Sequence, residues 1–307
     1  MSSPTGRQGD PGTASGGQAG ALEGDSRRLL AAFLRRPRYE VIPLAGTVEQ
    51  VVEHVSPEVK LTVTASPSKG MEATLDLTEQ LAARGFEVVP HLSARLVRDH
   101  GHLAEILARV AALGLREVFV VAGDAREPAG KFADSLALLS AMAAAKGELR
   151  EIGVTGYPES HPFIDDDVTI QAMWDKRQYA TYIVSNLCFD PRLIGKWVTR
   201  VRRRGVDLPV YVGMAGVADP TKLLRISSRI GVGESTRFLR AHTNWFLRMV
   251  KPGGYSADRF LAGLRPDLTA PSRRIAGLHI FTFNEIQATE EWRRKTLARL
   301  QASAAAI

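Results

Sequence analysis

Eight short apolar runs alternate with longer stretches of helical period along this chain, and that alternation restricts the fold more than any other feature. The runs fall at residues 39–43 (YEVIP), 61–65 (LTVTA), 87–91 (EVVPH), 117–122 (EVFVVA), 151–156 (EIGVTG), 182–187 (YIVSNL), 210–213 (VYVG) and 278–283 (LHIFTF). Between them, helical patterns are expected over 71–84, 101–113, 135–146 and 191–204. The second of these repeats apolar side chains at Leu103, Ile106, Leu107, Val110 and Leu113, one stripe of a helix, and Gly114 is a good stop. Strand-helix alternation implies parallel pairing with right-handed crossovers. A doubly wound sheet would place a Gly-rich turn after its first strand, whereas here Leu44-Ala45-Gly46 follows. The reading is therefore a (β/α)8 TIM barrel, with a helical insertion between Pro220 and Arg265 before the last strand.

The first 25 residues carry seven of the 27 glycines and almost no large apolar side chain. Such a segment buries too little to offset its ordering entropy, so a disordered tail is expected there, with structure starting near Ser26 and a single barrel domain over 26–307. A lone cysteine, Cys188, excludes a disulfide framework and a cysteine-based zinc site, and reads as a small buried hydrophobe. No apolar run approaches the roughly 20 residues that span a bilayer, and the N-terminus has no signal-peptide core. The expectation is a cytoplasmic protein with no membrane partner.

In such barrels the chemistry lies at the C-terminal ends of the strands. Those ends supply Glu40, Thr64, His91, Asp124, Tyr157, Asn186 and Asn284, a polar ring. None is a lysine, as a Schiff-base aldolase would want, and the first strand has no HxH for a metal-dependent hydrolase. His91, Asp124 and His161 could still meet at a metal, but no metal is expected. Glu40 lies within an apolar run, where alternation turns it toward the barrel axis. A carboxyl group in a partly dry site keeps its proton longer and can act as a general acid; the bland reading is an exposed carboxylate at a strand edge. Gly123 allows a tight turn that aims Asp124 into the mouth, where it can accept an N–H pair of the kind a pterin or guanine ring offers; the bland reading is a turn-forming Asp. Two prolines stiffen the loop Tyr157-Pro158-Glu159-Ser160-His161-Pro162.

Taken in order, YEVIP, VTA (63–65), VPHL (89–92), AGD (122–124), GYPESHP (156–162), SNLCFD (185–190) and FTFN (281–284) resemble the methylenetetrahydrofolate reductase family over residues 38–300. The resemblance implies reduction of 5,10-methylenetetrahydrofolate to 5-methyltetrahydrofolate. It implies that Glu40 is the general acid and that Asp124 binds the pterin and stabilises developing positive charge. Asn186 stands where the family usually has Gln, and Tyr157 and Asn284 complete the implied substrate contacts. Thr64, His91, Tyr157, His161 and Lys176 are the implied cofactor contacts.

Typical members bind FAD with an Arg before the Gly-Asp turn; this chain has Ala122. It also carries Asp165, Asp166 and Asp167, which would repel a pyrophosphate unless screened, and Asp175 where a basic residue is common. The expectation is weak or absent FAD binding, with hydride passing directly from NADH or NADPH. The alternative is a folate-binding or corrinoid-pathway barrel without reductase activity.

The net charge of +7 leaves nucleic acid open in principle, but the basic runs at 35–38, 200–204 and 293–295 have no interleaved aromatics and no recognisable module. Arg200 to Arg204 reads as a helix end, and no nucleic-acid partner is expected. Gly231-Val232-Gly233 lacks GKS or GKT and reads as a helix start, with Trp245 and Phe246 of the helix after it taken mainly as packing. The anionic folate and nicotinamide dinucleotide are partners that a basic surface would help to capture.

Overall fold

The computed structural model of the chain describes residues 14–145, 147–160, 164–217 and 255–305. Eight parallel strands close into a barrel in chain order: β1 (Arg38–Val41), β2 (Lys60–Val63), β3 (Val88–Ser93), β4 (Glu117–Val121), β5 (Glu151–Gly156), β6 (Tyr182–Ser185), β7 (Val210–Ala215) and β8 (Ile275–Phe281). All eight expected strands are present, with ends shifted by a few residues. The helices are α1 (Ala14–Arg35), α2 (Thr47–His54), α3 (Gly70–Ala82), α4 (His100–Ala112), α5 (Ser135–Ala144), α6 (Asp166–Lys176), α7 (Pro191–Arg203), α8 (Ala257–Leu268) and α9 (Ile286–Ala305). Of the expected insertion, α8 is described; residues 218–254, with Gly231-Val232-Gly233, Trp245 and Phe246, lie outside the described residues.

One expectation shifts at the N-terminus, because α1 begins at Ala14 and so takes in residues 14–25 of the segment read as a tail, residues 1–13 lying outside the described residues. Tertiary packing outweighs the poor helical propensity of its glycines. Leu30 and Leu34 are buried, and α1 packs on α8 and α9. Glu23 takes an ion pair from Arg265 at 3.0 Å, and the same arginine donates to Ser26 Oγ at 3.1 Å.

Helix α7 shows how local sequence sets its place. Asp190 caps it through Arg192 N at 3.0 Å, Pro191 opens it, and the stripe Ile194, Trp197, Val198 and Val201 is fully buried. Trp197 lies over Gly156 of β5, where a Cβ would meet the indole at 2.3 Å. Three of the four arginines in the run at its end make contacts within the protein. Arg200 pairs with Asp166 at 2.8 Å, Arg204 pairs with Asp167 at 3.0 Å, and Arg202 donates to the carbonyls of Val206 and Arg273. Two of the three aspartates in the acidic run, Asp166 and Asp167, are therefore screened by α7.

Alternation along the strands sends Tyr39, Val41, Leu61, Val63, Val118, Val120, Ile183, Val212 and Ile280 into the apolar layer under the helices. The other face fills the barrel, and its lowest layer is charged. Arg38 opens β1, Lys60 opens β2, Glu117 opens β4 and Tyr182 opens β6. Arg38 Nη1 donates to Glu117 Oε1 and to the Tyr182 hydroxyl, and Lys60 Nζ donates to Glu117 Oε2 at 2.6 Å. The guanidinium also lies over Tyr211 of β7, 4.1 Å from the ring centre. Arg38, read as part of a scattered basic run, is thus an interior residue.

Burial alone would push the Glu117 carboxyl up; the attraction of Arg38 and Lys60 outweighs it and holds the group at about 2. Its folded value lies below the ordinary 4.5, so its contribution is present above that pH and is lost as pH falls from 4.5 toward 2. Glu117→Gln is expected to cost roughly 3–5 kcal/mol in urea unfolding at pH 7, because it takes the close carboxylate from the buried Arg38, while Lys60 keeps Glu87 at 2.9 Å. The variant should also lose less stability than the parent between pH 4.5 and 2; parallel losses would contradict the assignment.

Candidate active site

Above that charged floor, Glu40 is the first polar group from β1 that faces the mouth. Tyr39 and Val41 on either side are buried, and the Tyr39 hydroxyl donates to Glu290 Oε2 of α9 at 2.8 Å, so the carboxylate between them turns inward. Glu40 Oε2 lies 3.1 Å from Nε2 of His279 on β8. The Glu40 side chain is 18 % exposed and the histidine 1 %, so the acid reaches solvent while its partner does not.

The backbone around Glu40 is clamped. Its carbonyl accepts from Thr282 Oγ1 at 2.6 Å and from Thr282 N at 3.3 Å. Phe283 and Asn284 then take left-handed φ values of 52° and 56°. That turn carries the Asn284 amide to β1, where its Oδ1 accepts from Ile42 N at 2.8 Å and its Nδ2 donates to Ile42 O and Thr47 Oγ1, each at 2.9 Å. Asn284, expected on substrate, is engaged in holding the β1 end.

His91 on β3 is buried against Phe119, with ring centres 4.7 Å apart. Burial pushes its imidazole down to about 4, although the charge of Glu40 pulls the other way. It is therefore neutral at pH 7, and among the described residues no hydrogen-bond partner reaches its Nε2.

Beyond the end of β4, Gly123 has φ 90°, and a Cβ there would meet Ser93 Oγ at 1.9 Å. The turn brings Asp124 out exposed at the mouth. Burial, reinforced by the Asp124 charge, pushes the Tyr157 phenol up to about 12, which keeps it a donor. Asn186 is tied to the β5 end through its N–H to Gly156 O at 2.6 Å, and its Oδ1 accepts from Leu187 N at 2.8 Å. Thr64 closes β2, its N–H on Val41 O at 3.0 Å and its carbonyl under Thr74 Oγ1 at 2.9 Å. His161 lies outside the described residues. Two of the sequence motifs are joined by Glu159, whose Oε1 accepts from Phe189 N at 2.6 Å and Asp190 N at 3.2 Å. Cys188 points its thiol at the same carboxylate, 3.5 Å away, and burial pushes that thiol well up, as expected of a packed, unreactive group.

The N-terminus of α5 lies beside Lys176, one of the implied cofactor contacts. Asp134 already caps it, accepting from Ala137 N at 2.9 Å. Lys176 donates to Ser135 Oγ at 3.4 Å; burial lowers its pKa while Asp134 and Asp175 oppose that. Arg95 is bound to the carbonyls of Ala133, Ala125 and Arg126. Both cations are therefore engaged within the protein, beside a carboxylate.

Sequence reading missed His279 and the charged floor. The signal for His279 was the alternation of LHIFTF, which sets His279 and Phe281 on one face, their rings 4.9 Å apart. Among the described residues no group of three or more His, Cys, Asp or Glu could hold a metal, and no helix is long and apolar enough to cross a membrane. Glu159→Ala is expected to cost about 1–3 kcal/mol in urea unfolding by stranding two backbone donors; an unchanged midpoint would contradict the role given to it.

Among solved structures, the chain is similar to one described as a lyase/mutase from Burkholderia cenocepacia J2315, at 17 % identity over 93 % of this chain and 88 % of that one, with a TM-score of 0.46. A second, described as a phosphonomutase from the same organism, matches at 13 % identity over 91 % of this chain and 98 % of that one, also at 0.46. The family profile described as methylenetetrahydrofolate reductase matches residues 37–234, which hold Glu40, Asp124, Tyr157 and Asn186. That span runs from β1 past β7 and covers more than half of the sequence, so the chain belongs to the methylenetetrahydrofolate reductase family.

Proposed function

We propose that the protein reduces 5,10-methylenetetrahydrofolate to 5-methyltetrahydrofolate, with NADH or NADPH delivering hydride directly to the folate. The observation that carries this reading is Glu40, an inward carboxyl at the barrel mouth whose backbone is clamped by Thr282 and which reaches solvent from beside a buried histidine. A protein that only held folate, in a corrinoid pathway or elsewhere, would have no use for an acid so placed.

The chemistry balances as one proton and one hydride. Glu40 donates its proton to a nitrogen of the five-membered ring, the C–N bond breaks, and an iminium ion forms on the remaining nitrogen. Asp124 accepts the N–H pair of the pterin and stabilises that positive charge. Tyr157 stays protonated beside it and can donate. Hydride from C4 of the dihydronicotinamide then adds to the iminium carbon and leaves the oxidised dinucleotide. Asn186 can offer its NH₂ group to the pterin, while Thr64 and the neutral His91 line the side that the nicotinamide would approach. His161 is assigned to the cofactor on sequence alone.

Family members typically use a flavin. The chain fits one poorly: Ala122 stands where an Arg would precede the Gly-Asp turn, and Lys176, the implied cofactor lysine, donates to Ser135 beside Asp134, the cap of α5. A co-substrate that arrives and leaves in each turnover needs no permanent cradle of that kind.

Pure protein is expected to show no flavin absorbance and to oxidise NADH or NADPH with methylenetetrahydrofolate at a rate that added FAD does not change. Glu40→Gln should lose about 10²- to 10⁴-fold in kcat while still binding folate. A stoichiometric flavin spectrum, or activity that appears only with FAD, would overturn direct transfer. Unchanged turnover in the variant would overturn the role of Glu40.

A further inference from the structure

We infer that His279 is a positioning residue for the acid: its Nε2–H holds the Glu40 carboxyl toward the mouth and stabilises the carboxylate that forms as the proton leaves. The inference rests on the reading of Glu40 as proton donor. Three observations bear on it. The first is the contact itself, 3.1 Å between Nε2 and Oε2.

The second concerns the other ring nitrogen. His279 Nδ1 is buried, and among the described residues no hydrogen-bond partner reaches it. A proton on Nδ1 would leave a buried N–H without an acceptor, which costs more than a buried lone pair without a donor. The tautomer is therefore Nε2–H, and the contact runs from histidine to carboxylate. The third is the surroundings. Among the described residues, His279 from β8 touches this carboxylate and His91 from β3 feels its charge; the packing of His91 against Phe119 in the dry interior keeps it uncharged, so it adds no competing cation.

A donor aimed at the acid acts mainly after the proton has gone. It interacts modestly with a neutral carboxyl group and strongly with a carboxylate, so it favours the transition state over the ground state. It also fixes the carboxyl rotamer, which Thr282 and Asn284 cannot do because they hold only backbone atoms on this strand.

The test compares wild type, His279→Gln and His279→Leu across pH with methylenetetrahydrofolate and NADH. His279→Leu is expected to lose about ten- to a hundredfold in kcat, the range open to one hydrogen bond to a charged group, with little change in KM for folate. Activity requires the protonated acid and disappears as pH rises, and without the donor that high-pH limb should move upward by about one unit. His279→Gln, which can restore an N–H, should recover most of the rate and return the limb. Equal loss in both variants with an unmoved limb would overturn the inference, as would an unaffected His279→Leu.

A second measurement does not depend on turnover. In ¹⁵N-histidine spectra, His279 should be the Nε2–H tautomer, and its signals should shift in Glu40→Gln. The opposite tautomer, or signals indifferent to that change, would overturn the contact even if His279→Leu failed to fold. A wild-type protein that reduced no methylenetetrahydrofolate, but showed the coupled spectra, would overturn the proposed reaction and leave the positioning contact standing.

Discussion

The guanidinium of Arg38 lies at the floor of the barrel, against Glu117 and between the rings of Tyr182 and Tyr211, and the interior above is stacked on it. Closing eight strands creates an inner surface that side chains must fill. An apolar plug would serve stability equally well, since buried ion pairs seldom out-stabilise hydrophobic packing. What the charged plug fixes is register. A slip of β1 by one residue would send Arg38 and Glu40 into the helix layer and bring Tyr39 inside. The same register sets Glu40 within reach of His279, so the floor and the acid are specified together.

The two polar layers have opposite electrostatic outcomes. In the floor, Arg38 and Lys60 hold Glu117 ionised despite burial. One layer up, burial wins and His91 is neutral at pH 7. Between these layers Glu40 faces the mouth with its carboxyl group against His279.

Much of this was legible in the chain. Eight strands and their order followed from alternation, and the inward turn of Glu40 followed from its two apolar neighbours. The position of Asp124 followed from Gly123, whose positive φ and closeness to Ser93 leave no room for a side chain. Contacts between strands far apart in sequence were hidden. The two basic and acidic runs looked like separate signals, yet Arg200 and Arg204 of α7 answer Asp166 and Asp167 of α6. Asn284 reads as a polar strand end, and only the left-handed turn before it shows that the amide faces back onto Ile42. His279 lies 239 residues from the carboxylate it touches, and no local pattern reports that. The early start of α1 was missed for a similar reason: its glycines argue against helix, and its partners sit on α8 and α9.

The pyrophosphate question turns on the same distinction between composition and contact. Acidic residues near α6 seemed to argue against a resident flavin, yet two of them are neutralised by α7. The stronger reason lies beside α5, where Asp134 caps the helix, Lys176 donates to Ser135 and Arg95 donates to backbone carbonyls. Direct hydride transfer is the central claim that rests on it. The sharpest test is the fate of deuterium carried at C4 of the dihydronicotinamide, each epimer used in turn, with protein free of flavin. One of the two epimers is predicted to deliver one deuterium to the new methyl group of 5-methyltetrahydrofolate; a methyl group that carries only solvent hydrogen would contradict it.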